Sequence, residues 1–544
     1  MSIEFNELKK RKDTLRSNRS AWDPRFQELR ELIHPHASDF NRKAAKGQLR
    51  TEQIFEGTAP YACELFASGL GAFGTPKSDR WFTLSVQDYD LKRDRNAQKY
   101  MEYITDRIMH EYALPSVGFY DSTHECYLEL GSIGTTVMNQ EFNYNKGHIQ
   151  FKCVPLSNVW IDEDSDGRVD TVFREVSWTK RQIIQHFDKE ADQLPKKIAE
   201  GKDESKVWTI TQAVYPRADR DASKLTATNK KYASIWFCEE AHDSTSDGIL
   251  RNHGYDEFPF HVPRWSKKSG EVYGRSPGWT CLPDIRLINT MEKTQIRSAQ
   301  KQADPPLLVP SDGFMLPIRT SPSSLNFFEP GLANNEMIKP LETRGRYDIG
   351  EDKMSQKRDH IMRCFYADWI QRQKKKERQS AFEVQDDREE MLNLMGPNMS
   401  RIENEFYSPT LFRTYTLLRD NGQLLPPPPS LAGRELKIIY TSPSVKAQQA
   451  RKGIANRRWL AEELIPMAQV DPKVLDILDT DAYIMEAAEH GSVSRSIIKD
   501  IKDVQAKREA DAQQQQMQQM AETAQPASEA LKNVAQAKEM GLGI

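Results

Sequence analysis

Two stretches of helical periodicity, separated by about forty residues crowded with proline, constrain this chain more than any other feature in it. Leu282, Ile285, Ile288, Met291 and Ile296 keep to one helical face between Gly278 and Ala303. Some 24 residues at 1.5 Å each make a rod of roughly 36 Å. Prolines then fall at 305, 306, 310, 317, 322, 330 and 340. Proline carries no N–H and fixes its own φ, so 305–345 reads as a turn-rich excursion with a few short strands. Helical periodicity returns from Tyr347 to Ile370. An antiparallel stalk with a small cap satisfies this pattern. The competing reading is two ordinary core helices and a long loop, and such loops are uncommon inside compact domains.

The remainder of the chain divides around this feature. At the N-terminus, Phe5, Leu8 and Leu15 repeat at helical spacing. Asp23-Pro24 resembles a cap with proline at the first helical position, and Phe26, Leu29 and Ile33 continue a face as far as Pro35. Further helices are expected over Thr58–Ser68 and around Tyr100, Ile104 and Ile108. The period then drops to two: His148–Val154, Arg168–Thr179, Val207–Tyr215 and Tyr232–Glu239 alternate apolar and polar residues, as antiparallel strands do. An α+β domain is therefore expected over 1–279. Beyond the second long helix, Arg372, Lys374, Lys375, Lys376 and Arg378 surround one acid, Glu377. A helical stretch follows from Ala381 to Asn421, with a kink expected at Gly396-Pro397. Prolines 426 to 429 form a stiff link, Glu435–Tyr440 a short strand, and 444–544 a helical region ending in an Ala/Gln-rich tail.

Composition sets limits on function. The chain has 544 residues and a formal net charge of −3, so nucleic acid would be met by a local basic patch rather than by a polycation. No run approaches the roughly 18 apolar residues of a membrane helix, and the start of the sequence has no apolar stretch of the secretory kind. The cysteines, at 63, 126, 153, 238, 281 and 364, form no C-x-x-C pair and read as reduced thiols.

Several motifs promise chemistry and lack its context. Gly69, Gly71 and Gly74 spell G-x-G-x-x-G, but a helix precedes them and a strand-like run from Trp81 to Leu84 follows, the reverse of a dinucleotide site. Glycines that end a helix and turn the chain are the simpler reading. Asp162, Asp164, Asp166 and Gly167 begin like a calcium loop, but its twelfth position is Phe173, so a hairpin turn is expected. His34 and His36, and His124 near Cys126, have no further ligands at metal spacing. No cofactor or metal is indicated, and no nucleophile signature is present.

A set of ordered blocks resembles a known family. They are Leu65 to Leu70 with Arg80 to Leu84; Gly131 to Thr135; Tyr273 to Gly278; Leu282 to Ile285 with Leu287 to Asn289; and Pro305 to Val309. Ser380 to Val384, Met395 to Pro397 with Arg401, Glu405, Phe406 and Pro409, and Tyr440 to Pro443 with Gln448 complete the series. Together they are similar to the head-to-tail connector, or portal, proteins of short-tailed bacteriophages, over about residues 20 to 450. Beyond 450 the likeness is weak.

The resemblance implies a portal fold, α+β and mainly helical, assembled as a cyclic ring of about twelve subunits. Its parts would be an N-terminal wing (1–279), a first stem helix (280–304), a clip (305–345), a second stem helix (346–370), a basic channel loop (371–380), a long kinked wing helix with the proline link (381–435), and a C-terminal crown (436–544). The ring would sit at one capsid vertex of the virion, having been made in the host bacterial cytoplasm. Double-stranded DNA, the terminase large subunit, the major capsid and scaffolding proteins, and tail adaptor and tail tube proteins would be its partners. No membrane and no cofactor is implied, and the protein would hydrolyse nothing.

Within that scheme the channel loop residues are Arg372, Lys374, Lys375, Lys376 and Arg378. Leu307, Leu308, Phe314, Phe327 and Phe328 would make subunit or terminase contacts. Leu282, Ile285, Ile288 and Ile296 would face neighbours, with Glu292 and Arg297 as candidates for polar exposure. The other reading kept open is a metal-dependent DNA-processing enzyme with a basic DNA-contacting loop. It would rest on Asp162, Asp164 and Asp166, the one local acidic cluster.

Overall fold

The computed structural model describes residues 5–37, 40–41, 47–48, 51–86, 94–187, 194–199, 203–221, 223, 226–242, 248–303, 307–308, 339–340, 348–368, 394–431, 436–440 and 456–470, with scattered helical positions from 480 onward. The fold is mixed α+β and mainly helical. Two compact units divide the chain: 1–80 with 107–424, and 81–106 with 425–544.

In chain order the elements begin with helices α1 (Phe5–Arg19), α2 (Asp23–Ile33) and α3 (Thr58–Gly74). Strand β1 (Phe82–Val86) and helices α4 (Arg95–Ala113) and α5 (Phe119–Ser132) follow. A strand-rich region comprises β2 (Val137–Asn143), β3 (His148–Val154), β4 (Val159–Glu163), β5 (Val169–Thr179), helices α6 (Lys180–His186) and α7 (Lys196–Ala199), β6 (Val207–Pro216), β7 (Tyr232–Phe237), β8 (Ile249–Tyr255) and β9 (Phe260–His261). Next come α8 (Pro277–Ala303), β10 (Leu307–Leu308), β11 (Lys339–Pro340), α9 (Asp348–Cys364), α10 (Ser408–Asp420), β12 (Leu436–Tyr440) and α11 (Ile465–Val470).

The larger unit is organised by a five-stranded antiparallel meander in the order β4-β5-β6-β7-β8. Successive side chains on a strand point to opposite faces, and here both faces are covered. One face carries Trp160, Phe173, Ala213, Tyr215, Ala233, Ile235 and Phe237, onto which α1 lays Phe5, Leu8 and Leu15. The other carries Trp208, Ile210 and Trp236, closed by Ile183, Phe187, Leu194 and Ile198 from α6, α7 and the residues around them. Trp178 stacks on Trp236 at 5.5 Å between centroids. The α1 docking also buries Lys12, whose ammonium reaches Glu175 at 2.7 Å and pairs with Glu239. A second antiparallel sheet, β3-β2-β9, runs in register from Val137↔Val154 to Asn143↔His148.

In the smaller unit, β1 pairs antiparallel with β12, from Phe82↔Tyr440 to Val86↔Leu436. The Tyr100 hydroxyl donates to the carbonyl of Leu425 at 2.8 Å, and Ser430 donates to Asp94 at 2.8 Å. Both bonds tie the region of the proline link to the start of α4.

The strands read from alternation stand where expected; β3 and the hairpin across Asp162–Gly167 agree closely with the reading. The helices depart from it more. No helix was expected over α5, α6 or α7, and α3 runs six residues past Ser68. Gly69 and Gly71 thus lie inside a helix, and Gly74 closes it. Among the described residues, no helix is long and apolar enough to cross a membrane.

Candidate functional site

The feature predicted to matter most, the helix pair, is present. α8 and α9 are antiparallel neighbours: Cys281 meets Cys364, while Asp284 binds Lys357 at 2.7 Å and His360 at 2.6 Å. Arg358 adds bonds to Glu292 at 3.4 Å and to Glu56 at 3.1 Å. The 27 residues of α8 span about 40 Å. Its two halves have different surroundings. Pro277, Gly278, Cys281, Leu282, Ile285 and Ile288 are buried. Ile296 is 40% exposed, so the apolar face read from the sequence ends, within this chain, at Ile288. Past it, Lys293, Arg297 and Lys301 recur every four residues and so share a face. Lys293 lies 5.0 Å from the Phe55 ring centroid.

The root of α8 is sterically fixed. A Cβ on Gly278 would collide with Ile33 of α2 and press on the Gly131 carbonyl and the Phe365 ring. Asn289 clamps the segment before α3 by accepting from the Phe55 N–H at 2.8 Å and donating to the Gln53 carbonyl at 2.9 Å. Arg286 pairs with Glu28 on the surface of α2.

The chain approaching α8 carries a buried cation. Arg264 is 1% exposed, and its guanidinium is surrounded by acceptors. Its Nε and Nη2 donate to the two oxygens of Glu405, at 3.1 and 2.7 Å, and its backbone N–H reaches Glu405 at 2.9 Å. Nη2 also donates to the Gly167 carbonyl at 2.9 Å, and Nη1 to the Val272 carbonyl at 3.1 Å and to Glu163. Lys267 shares Glu163 at 2.6 Å. A buried arginine is tolerable only when its donors are met in this way. Glu405 belongs to a single wide helical turn, Glu403–Tyr407, inserted between the helical run 394–402 and α10. Such one-turn widenings shift the side chains that follow them around the helix.

The next residue along that wide turn but one, Tyr407, explains the glycine motif. Its hydroxyl bonds Tyr127 at 2.8 Å, and Tyr127 bonds Thr75 at 3.0 Å. A Cβ on Gly74 would land on the Tyr407 hydroxyl. The acidic run is equally structural: the Asp164 carboxylate accepts the N–H groups of Asp166 and Arg168, at 2.9 and 2.8 Å, closing the β4–β5 hairpin. Among the described residues, no group of three or more His, Cys, Asp or Glu is placed to hold a metal ion.

Comparison with known proteins then decides the family. The family model for the bacteriophage head to tail connecting protein matches residues 6–498. The chain belongs to that family. It is 27% identical over 508 residues to the probable portal protein of Bordetella phage BPP-1, covering 92% of this chain and 90% of the relative. It is 26% identical over 542 residues to the portal protein of Salmonella phage epsilon15, covering 98% and 96%. A solved chain from the neck of an empty GTA particle, computed with C6 symmetry, matches at 10% identity with a TM-score of 0.35, covering 78% of this chain and 90% of that one. The protein is a phage head-tail connector, a structural rather than enzymatic component of the virion at the capsid vertex. Capsid and tail are its partners in that role.

Of the connector residues singled out from sequence, Arg372, Lys374, Lys375, Lys376 and Arg378 lie outside the described residues, as do Phe314, Phe327 and Phe328. Leu307 and Leu308 form β10, paired with Pro340 and Lys339 of β11; only their backbone is described. Gly396 and Pro397 lie near the start of the described run 394–402, and Gly396 has open space around it. Sequence reasoning missed Arg264 and its carboxylates. The available signal was an arginine between Pro263 and Trp265, at the end of a run from Phe258 that is apolar but for His261.

Proposed function

We propose that this connector assembles as a closed ring of about twelve subunits, and that double-stranded DNA passes through its channel on packaging and again on ejection. The observation that carries the reading is the division of α8: a root buried in its own unit, and an outer half, from Asn289 to Ala303, in which no residue is fully buried and Ile296 is 40% exposed. In the ring, α8 and α9 serve as the stem, 305–345 as the clip, 1–279 as the wing, 371–380 as a channel loop, 381–435 as the long wing helix and proline link, and 436–544 as the crown. Lys293, Arg297 and Lys301 supply a basic stripe suited to phosphates, which carry no sequence information. Arg372, Lys374, Lys375, Lys376 and Arg378 supply a second level of positive charge. Leu307, Leu308, Phe314, Phe327 and Phe328 belong to contacts with neighbouring subunits or with the packaging terminase. Scaffolding and major capsid proteins hold the ring at the vertex, and tail adaptor and tail tube proteins follow the motor onto it.

Negative-stain microscopy of the purified protein, with native mass measured in parallel, tests the ring. Closed rings of about twelve subunits with a stain-filled hole are expected. Small particles at every salt and protein concentration would count against a ring built by this chain alone. Changing Lys374, Lys375 and Lys376 together to alanine tests the loop: filled heads of the variant should leak DNA, and unchanged retention would remove its gripping role.

A further inference from the structure

The root of the helix pair holds a group of side chains that the connector role does not use. Cys281 of α8 and Cys364 at the end of α9 are both free thiols, and they interact across the two helices. Cys364 Sγ lies 3.9 Å from Nε2 of His360, one turn back on α9. The other ring nitrogen of His360, Nδ1, bonds the Asp284 carboxylate at 2.6 Å. A carboxylate accepts, so in the neutral ring Nδ1 carries the proton and Nε2 presents its lone pair toward Cys364. Carboxylate, imidazole and thiol thus stand in the order used to generate a thiolate.

We infer that Cys364 is a peroxide-reactive thiol and Cys281 its resolving partner, so that oxidation joins α8 to α9 by a disulfide at the root of the pair.

The surroundings support the assignment of roles. Cys281 is fully buried, its Sγ 3.7 Å from the Gly278 carbonyl, and it is pushed well up by its interaction with Cys364 and by burial. Cys364 is half-buried and drawn down to about 7, by the bond from Cys281 first and, against burial, by His360. Among the described residues, the charges and titrating groups facing it are Asp284 and Cys281 from α8, His360 on its own helix, and Tyr366 just beyond. Lys357 reaches it only through Asp284. Cys63, Cys153 and Cys238 are all pushed upward, Cys63 to about 12, and Cys126 is fully buried. Thiolate character and access together select the site of oxidation, and Cys364 has both.

The chemistry closes without a cofactor. His360 Nε2 takes the proton of Cys364. The thiolate attacks one oxygen of hydrogen peroxide; an S–O bond forms, the O–O bond breaks, and the departing hydroxide takes the proton back as water. Cys281 then attacks the sulfenic sulfur; the S–S bond forms, the S–O bond breaks, and the proton of Cys281 leaves with the second water. Two thiols are oxidised and one peroxide is reduced to two waters.

Full-length protein treated with hydrogen peroxide and digested without reductant tests this. The peptides holding Cys281 and Cys364 should appear linked, about 2 Da lighter than their sum, and separate on reduction. In Cys364→Ser the link should vanish. In Cys281→Ser a sulfenic acid at Cys364 should persist and be trapped by dimedone. In His360→Gln linkage should slow about tenfold, and the pH midpoint for alkylation of Cys364 should rise, by less than loss of the Cys281 bond would raise it, a change that a merely structural role for His360 would not cause. Peroxide that oxidises other cysteines while Cys281 and Cys364 both stay reduced would overturn the proposal. So would an unmoved alkylation midpoint in His360→Gln.

Discussion

The two halves of α8 are one continuous helix with opposite fates. From Pro277 to Ile288 it is locked: Gly278 touches α2, apolar side chains are buried, and the preceding chain is bound through Arg264. From Asn289 to Ala303 no residue is fully buried, and Ile296 faces outward as Leu287 does at the root's edge. Helical periodicity is alike in both halves. What differs is what lies alongside: one half bears the fold of the subunit, and the other, partly exposed, is the half that the proposed ring would use for assembly.

Breaking the locked end should have the largest effect. Arg264→Ala removes the buried cation shared by Glu163 and Glu405, leaving Glu163 to Lys267 and Glu405 to the more distant Arg401; about 3 kcal/mol of stability should be lost. Denaturant unfolding of the unassembled chain measures it. A change under about 1 kcal/mol would mean that water reaches the site and that the root is not locked electrostatically.

Within the helix itself, a matched pair of substitutions gives the direct contrast. Ile288→Ala empties a fully buried site and should cost about 2–4 kcal/mol; Ile296→Ala should cost under about 0.5 kcal/mol in the unassembled chain. If Ile296→Ala spares stability but weakens ring formation, the outer half is an assembly surface. Equal costs at both positions would erase the distinction between the halves.

Gly278→Ala should cost about 1–3 kcal/mol, because the added methyl collides with Ile33. Ile33→Val in the same chain should return part of that loss, since it removes the methyl met first. A loss unchanged by Ile33→Val would place the strain instead on the Gly131 carbonyl, which cannot retreat without moving α5.

The same contrast explains what could be read in advance. Strand alternation was legible because burial of a sheet face is written every second residue, as in Ile149 and Phe151 of β3. What covers the meander's other face was not legible: Trp178, Trp208 and Trp236 stand on it, and α6 and α7 must be placed before their burial makes sense. The length of α3 was not legible: glycine at a helix end ordinarily signals a stop, and here Gly74 is needed by Tyr407, far along the chain. The aspartate run was legible as a turn, but not as an anchor, although Glu163 and the Gly167 carbonyl inside it hold Arg264. For the helix pair, sequence marked the apolar face of α8 without marking where its neighbours end. That limit is set by Ile33, Phe365 and the residues before α3, none of which is adjacent in sequence. Of the candidate site, the helix pair was legible, while the basic loop and the clip aromatics fall outside the described residues.

The smallest effect belongs to the surface pair at the same root. Arg286 and Glu28 join α8 to α2 as Arg264 joins its hairpin to the wide turn, but both stand partly in water, with side chains 44% and 29% exposed. The bond from Arg286 holds the Glu28 carboxyl below its ordinary range against a modest cost of burial. A carboxyl depressed in the folded state contributes stability that is present above its unfolded value and lost as the pH falls through its folded one. Glu28→Gln should therefore cost under about 1 kcal/mol at neutral pH, less in high salt, and nothing once acid has protonated the wild-type group. Unfolding the two chains side by side from pH 7 to pH 3 measures the difference directly. If it grows rather than fades in acid, the side chain at 28 matters through packing, and the root of α8 is held by shape alone on that side. If it fades as the sign requires, charge contributes on both sides of the helix, with burial setting the size.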